Sequence, residues 1–392
     1  MRTREFKDTE LGPIPKDWEV KRLGDQAEVF CDGDWIEAKD QSSTGFRLIQ
    51  TGNVGEGIYK DKPKNKRYVS EKTFNSLRCT EIFGGDVLVS RLPDPIGRAC
   101  IVPNTAERKI TAVDCTIIRF AEYDPVFFVA FSQTKCYRQM VDSNMAGSTR
   151  MRISRNALGK ILVPYPPLPE QRRIAAALGD VDKLIENLKK RVEKKKNLKR
   201  GAMQELLTGR RRLKGFTGAW VEKRLGDLLD YEQPQRYIVK SSDYCDSGIP
   251  VLTPGKSFIL GYTTEMDGVC ENLPVILFDD FLTISRYITF PFKVKSSAVK
   301  MLRLRNANDS MYFIQAAMES LGYVPGDHQR HWIGIFSKLT ILMPECVEQR
   351  AIAAVLSDMD AEIANLEAKL KKMTLLKQGI MQDLLTGKVR LV

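Results

Sequence analysis

Apolar positions along the chain follow two different periods. Ile174, Leu178, Val181, Ile185, Leu188 and Val192 recur at alternating steps of four and three, and so do Ile352, Leu356, Met359, Ile363, Leu366 and Leu370. That spacing predicts two long helices, each carrying an apolar seam of the coiled-coil kind. Pro164, Pro166, Pro167 and Pro169 prevent the first helix from starting earlier. Gly209 and Gly387 suit left-handed caps at the two C-termini. A helix from about 170 to 207 would extend roughly 55 Å at ~1.5 Å per residue. Elsewhere the apolar runs are short. The segments 82–90, 116–120 and 274–278 read as strands with adjoining turns, and 127–140 and 310–321 read as amphipathic helices. The fold class expected is α+β: two mixed α/β blocks separated by two long helices. Pattern alone does not fix the topology of the blocks.

The two helices are copies of one another. Residues 170–213 align without a gap on 348–391 at an offset of 178, with 24 identities in 44 positions. Leu206-Leu207-Thr208-Gly209 falls on Leu384-Leu385-Thr386-Gly387. A shorter echo lies upstream, where Trp18 to Asp25 recurs as Trp220 to Asp227 at an offset of 202. The unequal offsets mean that the intervening blocks differ in length. The order is therefore a variable block (1–168), a constant helix (169–214), a variable block (215–344) and a constant helix (345–392). A repeated seam favours packing of the helices on each other over packing of each on its own block. Pseudo-two-fold symmetry favours an antiparallel pair.

The net charge of +12 points to an anionic partner, most simply nucleic acid. Its distribution is uneven. Segment 169–214 has 15 Lys+Arg and 6 Asp+Glu, a net of +9, and 345–392 has 7 of each, leaving +3 for the rest. Lys189, Lys190, Arg191, Lys194, Lys195, Lys196, Lys199 and Arg200 crowd one stretch of the first helix, and Lys195 stands where the seam expects an apolar residue. One explanation is contact with DNA phosphates; others are a solvated helix or an acidic partner. The eight cysteines form no C-x-x-C pair, which suits free thiols in a reducing cytoplasm. Neither a membrane span nor a signal core is evident. Among catalytic signatures, an Asn/Asp-Pro-Pro-aromatic element and a phosphate-binding glycine loop are both missing from the sequence. Asp279-Asp280 reads as a turn rather than a nuclease carboxylate pair.

These features resemble the specificity subunits of type I restriction-modification systems. The tract Gly147-Ser148-Thr149, Ile153-Ser154, Leu158, Ile161 and Val163 through Gln171 is similar to that family's passage from a target-recognition domain into a conserved helix. The ending Leu384 to Arg390 is similar to its C-terminus. The second copy departs at the proline tract, where it reads Met343-Pro344-Glu345-Cys346-Val347. The resemblance implies two target-recognition domains that each read half of a split, asymmetric DNA site, and a helical spacer setting the gap between the halves. It also implies a non-catalytic chain whose partners are double-stranded DNA, two methyltransferase subunits and restriction/translocase subunits. S-adenosylmethionine, ATP and Mg would then belong to those partners, with no cofactor or metal in this chain. The repeated helix ends, Met203, Leu206 and Leu207 with Met381, Leu384 and Leu385, are candidates for methyltransferase docking. A free-standing coiled-coil DNA-binding regulator is the alternative, and it would require a homodimer on a palindromic site.

DNA readers need long donors on loops. Candidates in the first block are Gln50, Thr51, Asn53, Arg91, Arg98, Ser148, Thr149, Arg150, Arg152 and Arg155. In the second they are Lys256, Ser257, Arg286, Tyr287, His328, Gln329, Arg330, His331 and Trp332. The segment Gly326 to Trp332 combines several donors with a ring able to stack.

Overall fold

A computed structural model describes residues 5–147, 151–253, 257–326 and 329–391. The chain forms two compact units, one of residues 1–188 and 369–392 and the other of 189–368. Each unit therefore holds one variable block with half of each long helix. The helices span Leu168–Leu206 and Cys346–Leu385. Just past their ends lie Gly209 and Gly387, with φ of 69° and 70°, in the left-handed region that glycine enters without a Cβ clash. A Cβ on Gly387 would also lie 2.4 Å from Pro15.

In the first unit an antiparallel sheet has the strand order Ala99–Ile101, Val87–Ser90, Cys115–Phe120, Ala27–Asp32. The residues of Val87–Ser90 are all buried, as expected for a strand covered on both faces. A second sheet pairs Phe46–Ile49 parallel with Lys109–Thr111. The second unit repeats this plan. Its antiparallel sheet runs Ser285–Ile288, Val275–Asp279, Val299–Leu304, Leu229–Glu232, and Ile249–Leu252 pairs parallel with Lys293–Val294. The two variable blocks thus share the order of the four-stranded sheet and one parallel pair, which the sequence pattern left open, while the second sheet has five strands in the first unit and three in the second. The helix expected over 127–140 is in fact two, Pro125–Phe131 and Lys135–Ser143. Thr134 caps the second by accepting from the Tyr137 N–H, so the chain restarts there instead of running through.

Within each unit the half-helices pack antiparallel. In the first, Ile174 and Leu178 share a core with Met381, Leu384 and Leu385. In the second, Met203, Leu206 and Leu207 share one with Ile352, Ala353 and Leu356. Burial of these leucines and methionines withdraws them as candidates for partner docking. Each is in the core of its own unit, where it is worth about 1.5–3 kcal/mol. Ion pairs mark the direction. Asp182 pairs with Lys377 at 2.6 Å in the first unit, and Asp360 with Lys199 at 2.6 Å in the second. These are the same two positions under the offset of 178.

The repeat also explains how each helix is seated at its start. Trp18 donates its indole N–H to Glu170 at 3.0 Å, and Arg390 grips both oxygens of that carboxylate at 2.5 and 2.7 Å. In the second unit Trp220 donates to Glu348 at 3.1 Å, and Arg212 grips it at 2.6 Å twice. Gln171 accepts from the Asp124 N–H and donates to the Pro166 carbonyl; Gln349 accepts from the Ser310 N–H and donates to the Pro344 carbonyl. The divergent second proline tract therefore makes the same junction. Residues repeated in sequence are the ones that fasten block to helix.

Candidate nucleic-acid interface

The first unit gathers its candidate loops around two arginines. Arg98 is 8% exposed and donates to four backbone carbonyls, those of Val54, Leu92, Pro95 and Thr51, at 2.7 to 2.9 Å. Burial lowers its pKa, and no acid forms an ion pair with it among the described residues. Its fork is committed to clamping the turn at 51–53 to the loop at 92–95. Arg98 is corrected from a DNA reader to an organiser of the loops. Asn53 is likewise internal. It accepts from the Gln50 N–H and donates to the Lys60 carbonyl, closing the same turn.

Arg91 directly follows the strand Val87–Ser90. It is 8% exposed, donates to the Val113 carbonyl at 2.7 Å and pairs with Asp32 at 3.3 Å. Its carbonyl accepts from the Ile153 N–H at 3.3 Å, which draws the segment carrying Arg152 and Arg155 beside it. Arg91 too is held within the fold. What these buried arginines support is exposed or half-exposed: Gln50, Thr51, Arg152 and Arg155. Ser148, Thr149 and Arg150 lie outside the described residues.

The second unit builds its counterpart around Asp280, which is 1% exposed. Asp280 accepts from the Trp332 N–H at 2.9 Å and pairs with buried Lys300 at 3.5 Å. Burial lowers the Lys300 pKa, and the Asp280 charge opposes that shift. Asp279 closes a turn by accepting from the Phe281 and Leu282 N–H groups, as expected of a strand-ending pair. Trp332 is 2% exposed and packs on Phe278 and Phe336, so its ring is a core residue and cannot stack on a base. His331 is fully buried, with its N–H on the Asp280 carbonyl. Both are corrected from DNA readers to anchors. They hold out Gln329 and Arg330, which are exposed. Arg286 is also exposed and lies 5.3 Å from the Phe258 ring, which brings the strand at 285–288 to the loop holding exposed Ser257. Tyr287 turns toward Tyr312 at 5.4 Å and is half-buried. Lys256 and His328 lie outside the described residues.

The basic stretch of the first long helix has partners as well. Lys195 meets Glu362 at 2.6 Å, Lys196 meets Glu367 at 2.7 Å, and Lys199 meets Asp360. Lys195 is tolerated at a seam position because an acid across the seam receives it. The excess of charge therefore serves, at three lysines, to match acids on the second helix.

Residues 15–195 match the family described as the type I restriction modification DNA specificity domain. The specificity subunit of the Escherichia coli type I restriction enzymes EcoR124I/EcoR124II is 39% identical over 181 residues, 43% of this chain and 44% of that one. A Methanocaldococcus jannaschii chain named for the type I enzyme MjaX is 25% identical over 423 residues, covering 98% of this chain and 96% of its own length. The first of these matches thus spans under half of its relative. The S subunit of a type I system from M. genitalium has the same fold, with a TM-score of 0.62 at 14% identity over 94% of this chain and 96% of that one. Residues 15–195 thus match a type I restriction modification DNA specificity domain, and along its whole length the chain is similar to a type I specificity subunit. Among the described residues, no helix is long and apolar enough to cross a membrane.

The sequence missed Asp280 as the hub of the second loop cluster, having given it only a turn. The missing signal was its pairing with Lys300, a buried basic residue among the apolar residues of the strand Val299–Leu304.

Proposed function

We propose that this chain is the DNA-reading, non-catalytic component of a type I restriction-modification complex, and that each unit reads one half of a split, asymmetric site. The observation that carries the reading is two loop clusters of one topology but different side chains. Arg152 and Arg155 are exposed and Gln50 and Thr51 half-exposed in one, and Ser257, Arg286, Gln329 and Arg330 are exposed in the other. One chain with two unlike readers has no need of the homodimer and palindrome that a free-standing regulator requires. Two methyltransferase subunits and the restriction/translocase subunits would assemble on it in the cytoplasm. S-adenosylmethionine, ATP and Mg would act in those partners, and the paired helices would set the distance between half-sites.

The test is replacement of residues 215–344 by the matching block of a relative, followed by mapping of methylated adenines with the assembled complex. One half of the recognised site should change and the other should stay. A change in both halves, or methylation by the purified chain alone, would refute the reading.

A further inference from the structure

The offset of 178 continues upstream of the helices, where identities become too sparse to notice. It places Arg152 on Arg330 and Ile153 on His331. The structure makes these positions equivalent. The Ile153 N–H donates to the carbonyl of Arg91, and the His331 N–H donates to the carbonyl of Asp280 at 2.8 Å. Arg91 and Asp280 each follow the last residue of the central strand, and their own N–H groups donate at 2.9 Å to the Asp114 and Ala298 carbonyls. Ile153 and His331 are both fully buried. Each unit thus fastens the residue after its arginine to the same place on its sheet, and the arginine before it is exposed. Neither Arg152 nor Arg330 forms an ion pair among the described residues; Arg330 sits 6.0 Å from the Phe281 ring.

The neighbours are unlike: Met151 against Gln329, Ser154 against Trp332, Arg155 against Ile333. Two units that read different bases have little reason to keep one exposed residue in common, unless it meets something both half-sites possess. A base-reading arginine clamps guanine, so it would demand a guanine at the same place in both halves. A phosphate is present at every step of any duplex.

We infer that Arg152 and Arg330 are equivalent phosphate contacts, one per unit, which fix the register of the duplex without reading sequence. The inference rests on the DNA-reading function above. It divides labour within each loop cluster: the shared arginine positions the backbone, and the unshared residues read bases.

The test uses the full chain assembled with its methyltransferase subunits, binding either its own site or unrelated DNA, by fluorescence anisotropy over a range of KCl. Arg152→Gln and Arg330→Gln should each lower the slope of log affinity against log salt by about 0.9. Each should weaken specific and unrelated DNA by the same factor and leave the methylated sequence unchanged. Between 50 and 200 mM salt one contact corresponds to about a 3.5-fold change in affinity. Arg152→Lys and Arg330→Lys should recover most of the slope, since a phosphate accepts a point charge. Loss confined to the specific site, an altered methylated sequence, or failure of lysine to rescue would make these arginines base readers and overturn the inference. So would an unchanged slope in a wild-type-like assembly. If the wild-type complex itself prefers no DNA sequence, the function proposed above fails instead.

Discussion

The carboxylate at the start of each long helix offers the sharpest test of how the units are held together. Glu170 is 2% exposed and accepts three charge-assisted or indole hydrogen bonds, from Trp18 and twice from Arg390. Changing it to alanine leaves Arg390 with only Asp17, at 2.8 and 2.9 Å, and leaves the Trp18 N–H buried without its acceptor. Removing one partner of a buried pair costs about 3–5 kcal/mol because the other charge stays desolvated. Asp17 offsets part of that, so about 3 kcal/mol is expected for Glu170→Ala. The equivalent Glu348→Ala should cost less. Arg212 is more open to solvent than Arg390, with 27% against 15% of its side chain exposed, and the position matching Asp17 is Ala219. Arg390 keeps its charge up to an unusually high pH, first because of Glu170, so the effect should be flat across neutral pH. The chain has four tryptophans. Labelling with 5-fluorotryptophan lets fluorine NMR follow Trp18 and Trp220 separately through a urea titration. A double-mutant cycle of Glu170→Ala with Arg390→Ala should give a coupling energy of about 1–3 kcal/mol. A loss under about 1 kcal/mol at Trp18, or strictly additive single effects, would refute the claim that this cluster fastens block to helix.

Three further outcomes follow from the same geometry. Arg98→Ala should destabilise the first unit by about 3 kcal/mol or more, since it strands several buried carbonyls, and should disorder the turn at 51–53; a folded variant with unchanged hydrogen exchange at Asn53 and Val54 would contradict this. Lys195→Gln with Lys196→Gln removes pairs with half-exposed acids and should cost no more than about 1 kcal/mol per pair, with the salt slope of DNA binding unchanged; a slope lowered by about 1.8 would return these lysines to the DNA surface. Leu198 and Leu376 are equivalent under the repeat and about half exposed, at 50% and 48%, so Leu198→Glu with Leu376→Glu should weaken methyltransferase assembly at least tenfold while leaving the chain folded, as measured by analytical ultracentrifugation; undiminished assembly would clear this face of a docking role.

The two long helices were legible because their seam is periodic and repeated, and because proline and glycine mark their ends. Each block's topology was not legible, since its sheets are built from short strands of two to six residues paired far apart in sequence. Phe46–Ile49 lies parallel to Lys109–Thr111 across some sixty residues, for example. A long donor on a loop marks a candidate reader in the sequence, but residue type and position cannot tell a donor offered to solvent from one spent on the backbone. Arg98 and Arg91 have the residue type of a base reader and the hydrogen bonds of a structural clamp. Trp332 looked like a stacking platform because hydropathy says nothing about which side of a turn faces the core. Gln329 and Arg330 gave the same signal and are exposed.

Comparison of the two strand ends shows what the repeat preserves when side chains change. In the first unit the network is Arg91, Thr116 and Asp32, with Thr116 donating to Asp32 at 3.1 Å and Arg91 paired with Asp32. In the second it is Asp280, Lys300 and Gln233, with Lys300 donating to Gln233 at 2.8 Å and paired with Asp280. The strand registers place these residues in one-to-one correspondence. Thr116 lies opposite Asp32 on one side and Val89 on the other, and Lys300 lies opposite Phe278 and next to the step that pairs Met301 with Glu232. Arginine has become aspartate at the strand end, and the compensating charge has moved from the outer strand to the middle one. A buried charge without its counter-charge is strongly destabilising, so neither end can change sign alone. The fold therefore keeps a paired, hydrogen-bonded strand end while reversing its polarity. It is this invariance of the support under a change of charge that lets two units with one backbone plan hold different loops at the same strand end.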